Sequence, residues 1–158
     1  MTLLNHQQSL DKQSPKRIIA VDDNEILLRV WKRILEKKFY SCFTTSNPEE
    51  ALSYLEGGTV DLLICDIVMP HMDGFELLQK AQQLSKGTRI LLTTGYLCDF
   101  KKLRFDVGAK DIHVLMKPYN NFYEIENLVA RLLGDDQECG RATSLTSLDD
   151  TKVHLWSL

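Results

Sequence analysis

Four short stretches carry side chains able to do chemistry at one place. They are Asp22-Asp23 after "RIIAV", Asp66 after "DLLIC", Thr93-Thr94 in "RILLTT" and Lys117 in "MKPY". Carboxylates gathered in a partly dry crevice repel one another, so either their pKa values rise or a cation joins them. Oxygen ligands with no histidine or cysteine beside them favour a hard ion such as Mg2+. Lys117 adds a mobile positive charge. A metal, an ammonium and a threonine hydroxyl together suit the oxygens of a phosphoryl group. A carboxylate free to attack phosphorus would form an aspartyl phosphate. Asp66 stands alone, whereas Asp22 and Asp23 form a pair able to hold the metal directly and through water. The bland reading is that an Asp at the end of an apolar run only turns the chain or caps a helix. That reading fits Asp73-Gly74, and an isolated Lys-Pro is commonly a surface turn. The coincidence tells against it for the rest: all four stretches fall at the C-terminal ends of apolar runs.

Those runs alternate with helical patterns. Arg17 to Val21 is a short β-branched strand, and Asn24 can cap the helix that follows to about Lys38. In that helix Leu27, Val30, Trp31, Ile34 and Leu35 fall at helical spacing. "SCFTTS" is a second strand. Asn47 and Pro48 open a second helix that stops at Gly57-Gly58. "VDLLIC" is the third strand, and Gly74 starts a helix with Phe75, Leu78 and Ala81 on one face. "RILLTT" is the fourth strand, broken by Gly95, and a helix is expected over Leu97 to Val107. "DIHVLM" is the fifth. The last helix carries Ile125, Leu128, Val129, Leu132 and Leu133 as one stripe, capped by Gly134. The pattern predicts an α/β fold, (βα)5, with a doubly wound parallel sheet in the flavodoxin-like strand order 2-1-3-4-5. In that order the first and third strands are neighbours, which brings Asp22 and Asp23 beside Asp66.

Composition narrows the classes. The chain has 158 residues, is 44% apolar and 26% charged, and has a net charge of −3. These values suit one globular domain with no global field drawing nucleic acid or anionic membrane. No apolar stretch approaches the roughly 20 residues needed to span a bilayer. Cys42, Cys65, Cys98 and Cys139 are widely spaced, and read as reduced thiols of a cytoplasmic protein, two of them buried in strands. The scattered histidines do not suit zinc. Residues 1–15 read as a flexible leader, 16–134 as the domain, and 135–158 as a tail too short for a second one. "VHLWSL" reads as a frayed end. Lys101, Lys102, Arg104 and Lys110 read as a solvated face.

Taken together, "VDDNE", "CDIVMPHMDGFE", "LLTTGY" and "MKPY" closely resemble the receiver domains of bacterial two-component response regulators, over about Lys16 to Leu133. The resemblance implies that Asp66 is the phosphoacceptor and that Asp22 and Asp23 are the acidic metal pair. It implies that the backbone carbonyl of Val68 completes the protein ligands of Mg2+, and that Thr94 is the switch hydroxyl. Lys117 becomes the phosphate-contacting lysine, with a cis bond before Pro118. The implied donor is a histidine kinase or phosphotransfer protein, and the implied output is a downstream protein rather than DNA. The implied state is a monomer or a phosphorylation-dependent homodimer, and the implied role is that of a phosphoacceptor rather than an enzyme with its own substrate.

Three features depart from the pattern. The usual aromatic three residues before the lysine is Val114. The stretch from Gly108 to Lys117 is about two residues longer than usual. The positions that tune phosphate loss are Val68 and Tyr96, which predicts slow self-dephosphorylation. The readings kept beside a stand-alone receiver are a fragment of a longer transcriptional regulator or hybrid histidine kinase, and a degenerate receiver serving only as an interaction module. A Mg2+-dependent phosphatase is the enzymatic alternative, but it commonly needs a second acid two residues after the nucleophile, where this chain has Val68.

Overall fold

A computed structural model describes residues 14–95 and 112–135, and the backbone of 156–157. The elements in chain order are β1 (Arg17–Val21), α1 (Glu25–Lys37), β2 (Ser41–Thr45), α2 (Pro48–Glu56), β3 (Leu62–Asp66), α3 (Gly74–Leu84), β4 (Arg89–Thr94), β5 (Ile112–Met116), α4 (Phe122–Leu133) and β6 (Trp156–Ser157). The helix expected over Leu97 to Val107, the basic cluster from Lys101 to Lys110, Tyr96, Cys98 and Cys139 lie outside the described residues, as does most of the leader and tail.

The strand order is β2-β1-β3-β4-β5-β6. The first five strands are parallel, as the alternation of apolar runs and helical stripes requires. β3 begins at Leu62 rather than Val60. There the Asp61 N–H donates to the Arg17 carbonyl at 2.8 Å and the Thr88 hydroxyl takes the Val60 carbonyl at 2.8 Å, so these groups are spent on turns at the strand's foot. The sheet also has one strand more than expected. Trp156 and Ser157, read as part of a frayed end, pair antiparallel with Val114 and His113. The pairing occupies β5 backbone groups that would otherwise form an open edge.

Both faces of the sheet are covered, which is why the strands read as continuous apolar runs. Ile18, Ala20, Leu62, Ile64, Leu91 and Leu115 pack with α1 and α4 through Leu28, Trp31, Leu35, Ile125 and Val129. Ile19, Val21, Leu63, Cys65, Leu92 and Val114 pack with α2 and α3 through Ala51, Leu55, Leu77 and Leu78. Cys65 is buried as expected, while Cys42 on β2 is only half-buried; both are free thiols. Each described helix starts on a side-chain cap: Asn24, Asn47, Asp73 and Asn121 accept backbone N–H groups of the first turns. No helix among the described residues is long and apolar enough to cross a membrane.

Candidate functional site

Register places the chemistry. Val21 lies opposite Cys65, Asp66 opposite Thr93, and Thr94 opposite Met116. Asp22, Asp66, Thr94 and Lys117 therefore all stand at the C-terminal edge of the central strands, where open α/β sheets bind ligands. Asp22, Asp23 and Asp66 each bring a carboxylate oxygen to within 4.8 Å of the others. Asp22 is 1% exposed and Asp66 7%, whereas Asp23 faces solvent.

The cation expected across the crevice is inside the cluster. Lys117 Nζ donates to Asp22 Oδ2 at 2.7 Å and lies 3.1 Å from Asp66 Oδ2. The other Asp22 oxygen accepts the Asn24 N–H at 2.9 Å, so this carboxylate is held from both sides. The Lys117 backbone N–H donates to the Thr94 carbonyl at 2.7 Å, which ties the lysine to the end of β4. The Lys117-Pro118 bond is cis, as the resemblance implied. Thr94 is fully buried.

Burial pushes the Asp66 carboxyl above the ordinary aspartate range; the Lys117 hydrogen bond and charge pull it back, and the Asp22 charge adds to the rise. Burial works against the Lys117 charge too. The Asp22 hydrogen bond and charge outweigh it, so the ammonium is held above its usual value. Asp66 is thus a carboxylate whose negative charge is poorly solvated and only partly compensated. Such a group gains from an added cation, and its oxygens are little screened by water. Val68, exposed in the β3–α3 loop, offers no polar side chain beside it, and its backbone holds Asp66 slightly down.

Two positioning features were not legible in the sequence. The Asp73-Gly74 pair reads in sequence as turn and cap. Asp73 is the cap, accepting the Phe75 and Glu76 N–H groups at 3.0 and 2.8 Å. Gly74 does something else. A Cβ there would lie 2.3 Å from the Asp66 carbonyl oxygen and 2.8 Å from Ile67 Cα. The first turn of α3 therefore rests directly on the backbone that carries Asp66. Close backbone approach is a tertiary fact, and only the D-G pair hinted at it. The second feature is Tyr119, which leans edge-on against Trp31 of α1, with ring centroids 5.4 Å apart. An aromatic two residues after Lys117 was its only signal.

Known proteins fall in line with this geometry. The model of the response regulator receiver domain matches residues 18–131. The response regulator receiver protein CpdR of Brucella abortus is 32% identical over 119 residues, which is 75% of this chain and 97% of that protein. A CheY-like response regulator receiver domain from Methanospirillum hungatei superposes with a TM-score of 0.69 at 32% identity, covering 77% of this chain and 96% of that one. A response regulator from Burkholderia pseudomallei, solved with a phosphorylated aspartic acid and a calcium ion, superposes with a TM-score of 0.62 at 26% identity, covering 74% and 66%. The chain spans about half the length of other curated relatives it matches, 48% of one and 43% of another.

Proposed function

The chain belongs to the response regulator receiver domain family, and from that premise we propose that Asp66 takes a phosphoryl group from a phosphohistidine donor and that Thr94 and Lys117 read the change. The observation that carries this is the cluster itself: three carboxylates within 4.8 Å of one another, and an ammonium 3.1 Å from the one at the end of β3. An Asp66 oxygen attacks phosphorus, an O–P bond forms, and the N–P bond of the donor breaks. The imidazole leaves and takes up a proton. The acidic triad fits a hard divalent ion, with Asp22, Asp23 and Asp66 and the Val68 carbonyl as protein ligands. When bound, Mg2+ would neutralise phosphoryl oxygens during transfer.

Asn24 holds Asp22 in place, the first turn of α3 seats Asp66, and Lys117 has a place to go. A dianion on Asp66 offers it better-charged acceptors than Asp22 does. The Thr94 hydroxyl, at the end of the neighbouring strand, donates to the same group. Strands β4 and β5 carry that shift outward. Val68, with no group to hold an attacking water, favours slow loss of the phosphoryl group without a partner.

The donor is a histidine kinase or phosphotransfer protein of the cytoplasm, and the output is a protein contact. Relatives twice as long favour a second reading, in which this receiver controls a domain attached to it. The test is to add Mg2+ and a small acyl phosphate to the full chain and weigh it. The wild type should gain one phosphoryl group and Asp66→Asn none. A wild type of unchanged mass, with histidine donors tried as well, rejects the proposal.

A further inference from the structure

The phosphoacceptor reading leaves the route from Asp66 to the surface undefined, because the usual rotating aromatic is absent. Val114 stands in its place, completely buried with Leu92 and Ile112 on the α2/α3 side of the sheet. A valine there has no ring to swing.

The opposite side of the same strand ends holds an alternative. Thr93 shares its face with Leu91, toward α1 and α4, and is 1% exposed. Tyr119 lies two residues beyond Lys117 and meets Trp31 edge-on at 5.4 Å and 71°. The hydroxyls of Thr93 and Tyr119 are both buried, and neither makes a hydrogen bond of good geometry. Thr93 and the Trp31 indole are nonetheless loose hydrogen-bonding neighbours of the Tyr119 hydroxyl, so the two hydroxyls lie within reach of each other. Two buried hydroxyls short of a good hydrogen bond are an unusual arrangement, and a small shift of the ring would tighten their contact. There is room for that shift. A groove of about 510 Å3 runs beside Tyr119, lined also by Leu27 and Val30 of α1, Phe122 of α4, and Pro118.

We propose that Tyr119 is the positioning residue that carries the charge state of the acidic pocket to α1 and to the groove between α1 and α4. The inference rests on the phosphoacceptor reading of Asp66. When phosphoryl oxygens draw the Lys117 ammonium off Asp22, the short segment behind it moves. The stiff Pro118 transmits the displacement to Tyr119. The ring slides along the indole of Trp31, and the two hydroxyls close on each other. The groove then changes shape, and α1 feels the state of the site through its buried tryptophan.

Trp31 and Trp156 are the two tryptophans of the chain, so Trp156→Phe leaves Trp31 as the reporter. That protein, given Mg2+ and a small acyl phosphate, should gain one phosphoryl group by mass and change its Trp31 emission. With Tyr119→Leu added, the mass gain should persist while roughly half or more of the emission change disappears, because the ring contact is gone. Thr93→Val and Tyr119→Phe, which keep the packing and remove one hydroxyl each, should diminish the change by similar amounts. They carry the decision if the Leu variant does not fold. A full emission change in phosphorylated Tyr119→Leu, or in both milder variants, overturns the proposal, as does a phosphorylated reference whose emission never moves. No mass gain in the reference defeats the phosphoacceptor reading instead, and this inference with it.

Discussion

At the scale of single residues, the site is a charge problem only half solved by Lys117. Burial raises the Asp66 carboxyl despite an ammonium 3.1 Å away, so the unfolded chain gives up this proton before the folded one does. Its contribution to stability therefore falls as pH rises from the ordinary aspartate value through the folded one. Asp66→Asn should unfold at higher denaturant than the wild type at pH 7, and the gap should close below about pH 3, where both carry a neutral side chain. A variant less stable at pH 7 would show that Lys117 compensates the charge in full. Lys117 titrates with the same sense at higher pH: its stabilisation is present below the ordinary lysine value and is lost as pH passes its raised folded value. A second residue spends stability elsewhere. Phe39 has φ of 61° and is 88% exposed, a left-handed backbone with no packing to offset it. Phe39→Gly should stabilise by about 0.5–1 kcal/mol, read from the denaturant midpoint.

At the scale of elements, the strands that hold the site were legible because both faces of a parallel sheet are covered, so their apolar runs are unbroken until a carboxylate, threonine or lysine ends them. Helix starts were legible at α1 and α2 because Asn24 and Asn47 cap within the chain's own first turns; Asn121 does the same for α4. β6 was not: two residues carry no period, and their pairing is decided by the open edge of β5. Nor was the seat of Asp66, since nothing in an Asp-Gly pair says what lies above the glycine. Seating is a property of α3 as a unit. Gly74 donates its N–H to the Ile67 carbonyl at 2.9 Å, and its missing Cβ lets the helix touch the backbone of Asp66. Both neighbours are main chain and cannot rotate away, so the helix or β3 must shift. Gly74→Ala should destabilise by about 1–3 kcal/mol and slow phosphoryl uptake by Asp66. Wild-type stability together with wild-type uptake would mean that the loop absorbs the methyl group without moving the acid.

At the scale of the molecule, the acidic site and the stability of the fold are one equilibrium. Lys117 closes the sheet edge by joining the ends of β1, β3 and β4 through Asp22, Asp66 and the Thr94 carbonyl. It sits on carboxylates of the acidic cluster, so a divalent ion bound there would compete with the lysine for Asp22 and Asp66, and whichever held them would stabilise the folded chain. Lys117→Met separates the two roles. Without metal, the variant loses the charged hydrogen bonds and leaves three carboxylates facing one another, a cost of about 1.5–3 kcal/mol. With Mg2+ it no longer has an internal cation to displace, so its affinity for the ion should exceed that of the wild type. At a concentration about 100 times its dissociation constant, the ion would return about 2.7 kcal/mol. Thermal unfolding with and without Mg2+ should therefore show a larger rise in midpoint for Lys117→Met than for the wild type, and none for either protein once Asp22 and Asp66 are both Asn. Equal rises in the two proteins would mean that the lysine withdraws at no cost. The phosphoryl group would then have no stored contact to release, and the displacement of Lys117 could not drive the change at β4 and Tyr119.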